Sequence, residues 1–287
     1  MANFSGFQVK PLVKWAGGKR QLLPLITELL PTDFDHYYEP FLGGGALLCA
    51  LNPKAAVVND VNQQLIGMYE QVKIDPDGVC SALSDLQEQY NSKATMIEKD
   101  ELYYTLRGQF NDYLQNGKTM DCVYAALLIF LNKAGFNGLY RVNNLGLYNV
   151  PPAHRQIVNA YDRDNIFAMS ELLKHTQLLC GDFEKACADA DKKDFVFFDS
   201  PYYDTFDTYQ AGGFSEADHI RLFNLFRTLA QKGAYCMMTN NDCAFIKELY
   251  RDFHIRVVDV KRMINCDGKK RTGREVIVTS YCLKGDA

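Results

Sequence analysis

No apolar run in this chain approaches the ~20 residues that a membrane-spanning helix needs. The opening stretch, MANFSGFQVKPLVKW, lacks the long apolar segment of a secretory signal. The expectation is therefore a cytoplasmic chain with no membrane partner. The nine cysteines are odd in number and form no CxxC pair, which argues against a disulfide framework or a zinc site. Reduced thiols inside apolar runs are expected instead, and no metal. The absence of any Pro-Cys dipeptide removes the nucleophile loop of a covalent cytosine-C5 mechanism. There is no excess of positive charge either, the formal net charge being −4. The composition, 47% hydrophobic and 23% charged, excludes a disordered chain and fits one large or two modest globular domains.

The distribution of charge says more than its sum. Residues 254–284 carry eight Lys/Arg against three acids, centred on KRMINCDGKKRTGR, which includes Lys269, Lys270 and Arg271. Residues 131–163 carry Lys133, Arg141, Arg155 and Arg163 against Asp162 alone. Residues 75–112 hold eight acids against three bases. Two basic patches on a mildly acidic body suit a protein that grips a phosphate backbone on one side.

Along the chain, helical and strand-like segments alternate. GKRQLLPLITELLP reads as an amphipathic helix kinked by Pro24, followed by a strand at 37–41, a glycine turn with a short helix at 43–51, a strand at 55–60 and a helix in NQQLIGMYEQVK. The rhythm breaks between 74 and 165. Three helical stretches there lead into FNGLYRVNNLGLYNVPP, where turn signals between short extended pieces predict a hairpin over 136–151. Alternation returns with strands at 176–180, 194–199, 234–239, 254–260 and 275–282, separated by helices from 183, at 215–231 and at 242–250. The pattern predicts an α/β, doubly wound, mostly parallel seven-stranded sheet whose terminal strands are antiparallel. Its domain would comprise residues 1–73 and 166–287, with 74–165 inserted as a helical unit.

Three local features carry chemistry. Phe41-Leu42-Gly43-Gly44-Gly45 follows a strand and opens a helix, where glycines permit a sharp turn with amides close to a nucleoside. Asp60 ends the next strand and can either accept both hydroxyls of a ribose or cap the helix that follows. Asp199-Ser200-Pro201-Tyr202 follows the apolar run FVFF, so these residues emerge at the carboxyl edge of a central strand, where ligands bind. Asp199 and the Ser200 carbonyl can each accept one proton of an amino group, and Tyr202 can cover the face of a base. Two convergent acceptors favour a pyramidal nitrogen whose lone pair can attack. An ordinary strand-ending turn has the same local sequence.

Five blocks in fixed order, VKWAGGKR at 13–20, EPFLGGGAL at 39–47, NDVN at 59–62, FNGLYRVN at 136–143 and GDF at 181–183, precede the DSPY turn. Together they resemble the Dam and DpnII family (D12 class) of DNA adenine-N6 methyltransferases, from residue 10 to near the C-terminus. The resemblance implies a Rossmann-like catalytic domain with an inserted target-recognition domain, S-adenosylmethionine as cofactor, double-stranded DNA as partner and GATC as target. A monomer or weak dimer is expected. The resemblance implies that Trp15, Lys19, Phe41 and Gly43, Gly44 and Gly45 line the cofactor, that Asp60 holds its ribose and Asp182 its adenine edge, and that Asp199 also borders it. Catalysis falls to Asp199 with Ser200, Pro201 and Tyr202. Lys14, Phe136, Asn137, Leu139, Arg141 and Pro151 would face DNA with the 269–271 basic run, Phe136 as a wedge beside a flipped adenine. Arg141 has the stronger physical case as a reader, because its fork matches guanine O6 and N7 together.

The chain departs from the family at two points. Ser200 stands where DPPY has its first proline, a position at which the chemistry needs only a carbonyl. Pro152 and Ala153 follow NVP where the family has an aromatic and a glycine, which bears on the GATC target. Cytosine-N4 methylation, a non-catalytic DNA-binding module and a nucleotide-dependent oxidoreductase are the competing readings, in that order. Restriction-modification, repair marking and phage protection all fit the resemblance.

Overall fold

The computed structural model describes residues 8–15, 17–19, 21–203, 213–261 and 272–282. The basic run at Lys269, Lys270 and Arg271 lies outside them. The described residues form a mixed α/β fold with one seven-stranded sheet. Its strands are β1 (Tyr37–Glu39), β2 (Ala56–Asp60), β3 (Thr176–Cys180), β4 (Phe195–Phe198), β5 (Tyr235–Asn241), β6 (His254–Lys261) and β7 (Thr272–Thr279). They lie in the order β3-β2-β1-β4-β5-β7-β6. The first five follow the doubly wound order 3-2-1-4-5. β1 pairs in parallel with β2 and β4, and β4 with β5. β4 is buried along its whole length, which is why FVFF reads as an unbroken apolar run and not as an alternation.

Two expectations need correction. β7 pairs antiparallel with both β5 and β6, so β6 keeps the direction of β5 and is not itself reversed. The intervening helix α10 (Ala244–Leu249) is a crossover, and a crossover returns the chain in the same sense. Nor does Pro24 kink a long helix. The helix α1 spans only Leu23–Glu28, with the proline in its first turn, where the missing N–H costs nothing.

The chain divides into two compact units, Met1–Gly18 with Gly43–Asn52 and Asn62–Leu178, and Lys19–Leu42 with Pro53–Val61 and Leu179–Ala287. The first is helical: α2 (Ala46–Leu51), α3 (Gln63–Ile74), α4 (Pro76–Asn91), α5 (Met96–Asn116), α6 (Cys122–Ala134) and α7 (Arg163–Lys174). α6, CVYAALLIFLNKA, is apolar nearly all round and packs against α3, α4 and α5, as a helix without a polar face must. Asn62, Asp75, Thr95, Asp121 and Asp162 each accept a backbone N–H at a helix start. Asn62, not Asp60, therefore caps α3. After α6, Phe136–Gly138 forms a single 3-10 turn, and antiparallel bridges join Val142 to Tyr148 and Gly135 to Pro152. Around the Val142–Tyr148 bridge, Asn143 N–H donates to Leu147 O at 2.8 Å and Asn149 N–H to Arg141 O at 3.1 Å.

In the second unit, α8 (Phe183–Ala186) follows β3, and α9 (Glu216–Lys232) packs on β5. Val196, Phe198, Phe226, Met238, Val276 and Val278 belong to its buried core. β4 and β5 thus present their carboxyl ends from a rigid base.

Candidate active site

Within the second unit, the turn after β4 is held by its neighbouring strands. Asp199 lies one residue past the Phe198–Met238 pair, and Thr239 on β5 donates its hydroxyl to Asp199 Oδ1 at 2.8 Å. Lys19 Nζ lies 2.6 Å from the same oxygen, with only 7% of its side chain exposed. Oδ2 takes no hydrogen bond from the described residues. Lys19 is thus a buried ion-pair partner and not a solvated charge. Its ammonium also sits 4.8 Å from the centre of the Tyr202 ring, a cation–π contact. Tyr202 donates its hydroxyl to Glu275 Oε2 on β7 at 2.6 Å. Burial first, then the charges of Asp199 and Glu275, push the Tyr202 phenol well above its ordinary range, so it stays a donor. The next residue is clamped through its backbone: Tyr203 N–H donates to Asn240 Oδ1 and Tyr203 O accepts from Asn241 Nδ2. Ser200 is 2% exposed, and its hydroxyl has no partner among the described residues. A carboxylate with one oxygen fixed and the other open can accept one hydrogen of an amino group.

A second group in this unit gathers at the ends of β2 and β3. Asn59, 2% exposed, donates to Pro40 O and Gly181 O at 3.0 Å each, and Gly181 N–H donates to Asp60 O at 3.2 Å. These bonds hold half-buried Asp60 and neighbouring Asp182 at one sheet edge. Phe41 packs at 5.3 Å on Phe183 and at 5.8 Å on Phe214. Asp182 caps α8 through Glu184 N–H and accepts Arg221 Nη2 at 2.8 Å. Burial raises its pKa, but the Arg221 guanidinium and the Glu184 amide outweigh this and hold the carboxyl below its usual range. Both oxygens already have one partner. A carboxylate has about four lone-pair sites, so the residue keeps acceptor capacity.

The first unit gathers the remaining candidates. Trp15 stacks on Tyr140 with ring centroids 5.1 Å apart. Gly43 has φ +50°, and a Cβ there would lie 3.0 Å from Trp15 Cδ1. The glycine turn is therefore required by the indole against it as well as by its own backbone. Lys14, Phe136, Asn137, Arg141 and Pro151 are exposed, and Leu139 is half-buried. Phe136, with 50% of its surface exposed, is not a core residue. Arg141 folds back onto Asn149, donating from Nε to Oδ1 at 2.7 Å and from Nη2 to the carbonyl at 3.3 Å. Pro152 is buried beside Gly135, while Ala153 N–H donates to Ala134 O, so the unusual residues after NVP anchor the hairpin base.

Sequence reasoning passed over Thr239, Glu275, Arg221, Tyr140 and Asn132. Thr239 closes the apolar run AYCMMT, and a hydroxyl ending the strand beside DSPY is a legible signal once those strands are known to pair. The others depend on contacts between distant segments and left no local mark. Among the described residues, no group of three or more His, Cys, Asp and Glu could hold a metal ion, and no helix is long and apolar enough to cross a membrane.

Comparison with known proteins identifies the family. The profile of the D12 class N6 adenine-specific DNA methyltransferases matches residues 15–264. The type II methyltransferase M.MjaIII of Methanocaldococcus jannaschii is 39% identical over 292 residues, covering 96% of this chain and all of the relative. The type II methyltransferase M1.LlaDCHI of Lactococcus lactis subsp. cremoris is 38% identical over 284 residues, covering 95% and 96%. The retron Ec67 DNA adenine methylase of Escherichia coli is 28% identical over 271 residues, covering 94% and 90%. The chain belongs to the D12 class of N6 adenine-specific DNA methyltransferases, and it is an S-adenosylmethionine-dependent enzyme that methylates adenine in DNA.

Proposed function

We propose that the target is the adenine of GATC in duplex DNA, rotated out of the base stack to reach Asp199. The observation that carries this reading is the half-engaged carboxylate: Thr239 and Lys19 hold Oδ1, and Oδ2 remains for a donor. The adenine amino group donates one hydrogen bond to Asp199 and the other to the Ser200 carbonyl. The Tyr202 ring, with Lys19 against it, borders the base. Bound S-adenosylmethionine supplies a methyl already activated on sulfonium, so alignment is most of what the protein must add. The Asp199 carboxylate then stabilises positive charge developing on the nitrogen.

For the cofactor, Asp60 is the acceptor for the ribose hydroxyls and Asp182 for the adenine edge. Trp15, Lys19, Phe41, Gly43, Gly44 and Gly45 complete its lining, with Asp199 at its reactive end. Fit is supported by Gly43, whose φ of +50° and close approach to Trp15 disfavour a side chain, and by the acceptor capacity left on Asp182. Residues 74–165 serve as target reader, with Lys14, Phe136, Asn137, Leu139, Arg141 and Pro151 facing DNA. The exposure of an aromatic ring at Phe136 supports its role as wedge.

Expression in a host without adenine methylation tests the target. Its DNA should resist a nuclease that cuts only unmethylated GATC. N6-methyladenine found by nucleoside analysis without that protection moves the target to another site.

A further inference from the structure

Asn132 is the one polar side chain in the buried run Tyr124–Asn132 apart from the Tyr124 hydroxyl, and it is 1% exposed. An apolar residue there would pack as well without the cost of burying an amide. Each hydrogen bond it makes goes to main chain. Oδ1 accepts Lys14 N–H at 2.7 Å, and Nδ2 donates to Lys14 O and Gly138 O at 2.9 Å each. Gripping one residue by both N–H and C=O is how a strand holds its neighbour. Here a side chain does so across 118 residues. Gly138 completes the joint: it has φ +66°, and a Cβ on it would lie 2.5 Å from Lys14 Cδ. The lysine stem thus lies across the turn where a side chain on residue 138 could stand only by displacing it.

We infer that Asn132 is the positioning residue of the DNA reader: it fixes the backbone origins of Lys14 and of the Phe136–Gly138 turn, and so sets sequence discrimination. The inference rests on the proposed DNA-facing role of those residues. Lysine is a flexible four-carbon stem, and an ammonium on an unfixed backbone reaches many acceptors. That suffices for phosphate, which is present at every step, but reading a base edge needs a defined origin. Phe136 and Asn137 leave the same turn, so one buried amide aligns both segments. Trp15, next to Lys14, has a contact of its own in its stack on Tyr140.

The test uses the full chain on unmethylated genomic DNA, with methylated positions read by sequencing, so that the enzyme's own preferred site defines discrimination. Asn132→Ala should raise near-cognate marks about tenfold relative to cognate ones, the scale of one displaced base contact. Gly138→Ala, which keeps Asn132 but displaces the Lys14 stem, should shift the ratio the same way and carries the test if Asn132→Ala does not fold. Affinity for S-adenosylmethionine, by calorimetry, should stay within about threefold because the Trp15–Tyr140 stack remains. A wild-type ratio in a folded variant overturns the inference. So does a loss of cofactor affinity that keeps step with the loss of discrimination, which marks general loosening. A wild-type ratio in Lys14→Ala overturns the DNA-facing reading itself, whereas a preferred site other than GATC corrects the target and leaves the positioning role standing.

Discussion

Lys19 and Asp199 form a short ion pair, 2.6 Å from Nζ to Oδ1, in which the lysine is 7% exposed and the carboxylate 17%. Each group answers for the burial of the other. A substitution at either residue therefore acts on stability as well as on chemistry.

Asp199→Ala should cut single-turnover methyl transfer by several hundredfold, the loss of about 3–4 kcal/mol expected when an acceptor aimed at developing charge is removed. It should also lower stability by about 1–3 kcal/mol, less than for a fully buried pair because Asp199 retains some solvent contact. Adding Lys19→Met to Asp199→Ala should recover much of that stability and none of the activity. Tritium transfer and thermal melts of the two single variants and the double variant give both answers, and additive stability losses would contradict the pairing.

Ser200→Ala should leave the transfer rate within about twofold and stability unchanged or slightly raised, because deleting a buried hydroxyl without a partner removes a desolvation cost and no bond. A tenfold loss in single-turnover rate would give the hydroxyl a role that its surroundings do not suggest.

Arg141→Ala should weaken discrimination at one base pair of the cognate site by about 1–3 kcal/mol while leaving noncognate binding little changed. Asn149 already engages Nε and Nη2 of Arg141, which fixes the plane of the guanidinium before DNA arrives. Measurements of kcat/KM on single-base variants, with binding at two salt concentrations, separate this from a phosphate contact. An equal loss on every duplex would assign the residue to the backbone.

His219 sets a pH limit. It is 2% exposed, lies edge-on to Tyr203, Phe214 and Phe245, and its Nε2 has no partner among the described residues. Burial lowers its pKa from 6.5 to about 4, against the opposing pull of Asp218 and Glu216. The unfolded chain therefore binds this proton first. The stability that goes with neutral His219 is fully present above about 6.5 and is lost as the pH falls towards about 4, up to about 3 kcal/mol in all. Urea unfolding between those limits should show the slope, and His219→Phe should flatten it.

The order of elements was legible because FVFF, AAVVND and AYCMMT are apolar runs of strand length set between turns, and burial on both faces of the sheet produces such runs. The direction of β6 was not legible, since a strand's own residues do not record which way its neighbour runs. In the site, Asp199 stood out through its position after a central strand. Lys19 did not, because nothing in AGGKR distinguishes a lysine that will be buried against a carboxylate from one left in water. Asn132 was hidden for the opposite reason: within LLIFLNKAG it looks like the polar end of an apolar helix, and its three bonds go to segments remote in sequence or beyond a turn.

The strand order carries a consequence for synthesis. β7, the last of the described strands in chain order, is an interior strand, paired with β5 on one side and β6 on the other. Until residues 272–279 emerge, β5 must wait with one edge unpaired, and an unpaired edge is a template for other chains. A premature stop shortly before Thr272 would therefore not trim the sheet at its margin. It would leave β6 without its one partner among the described strands and take Glu275 from Tyr202, yielding an aggregation-prone nascent chain.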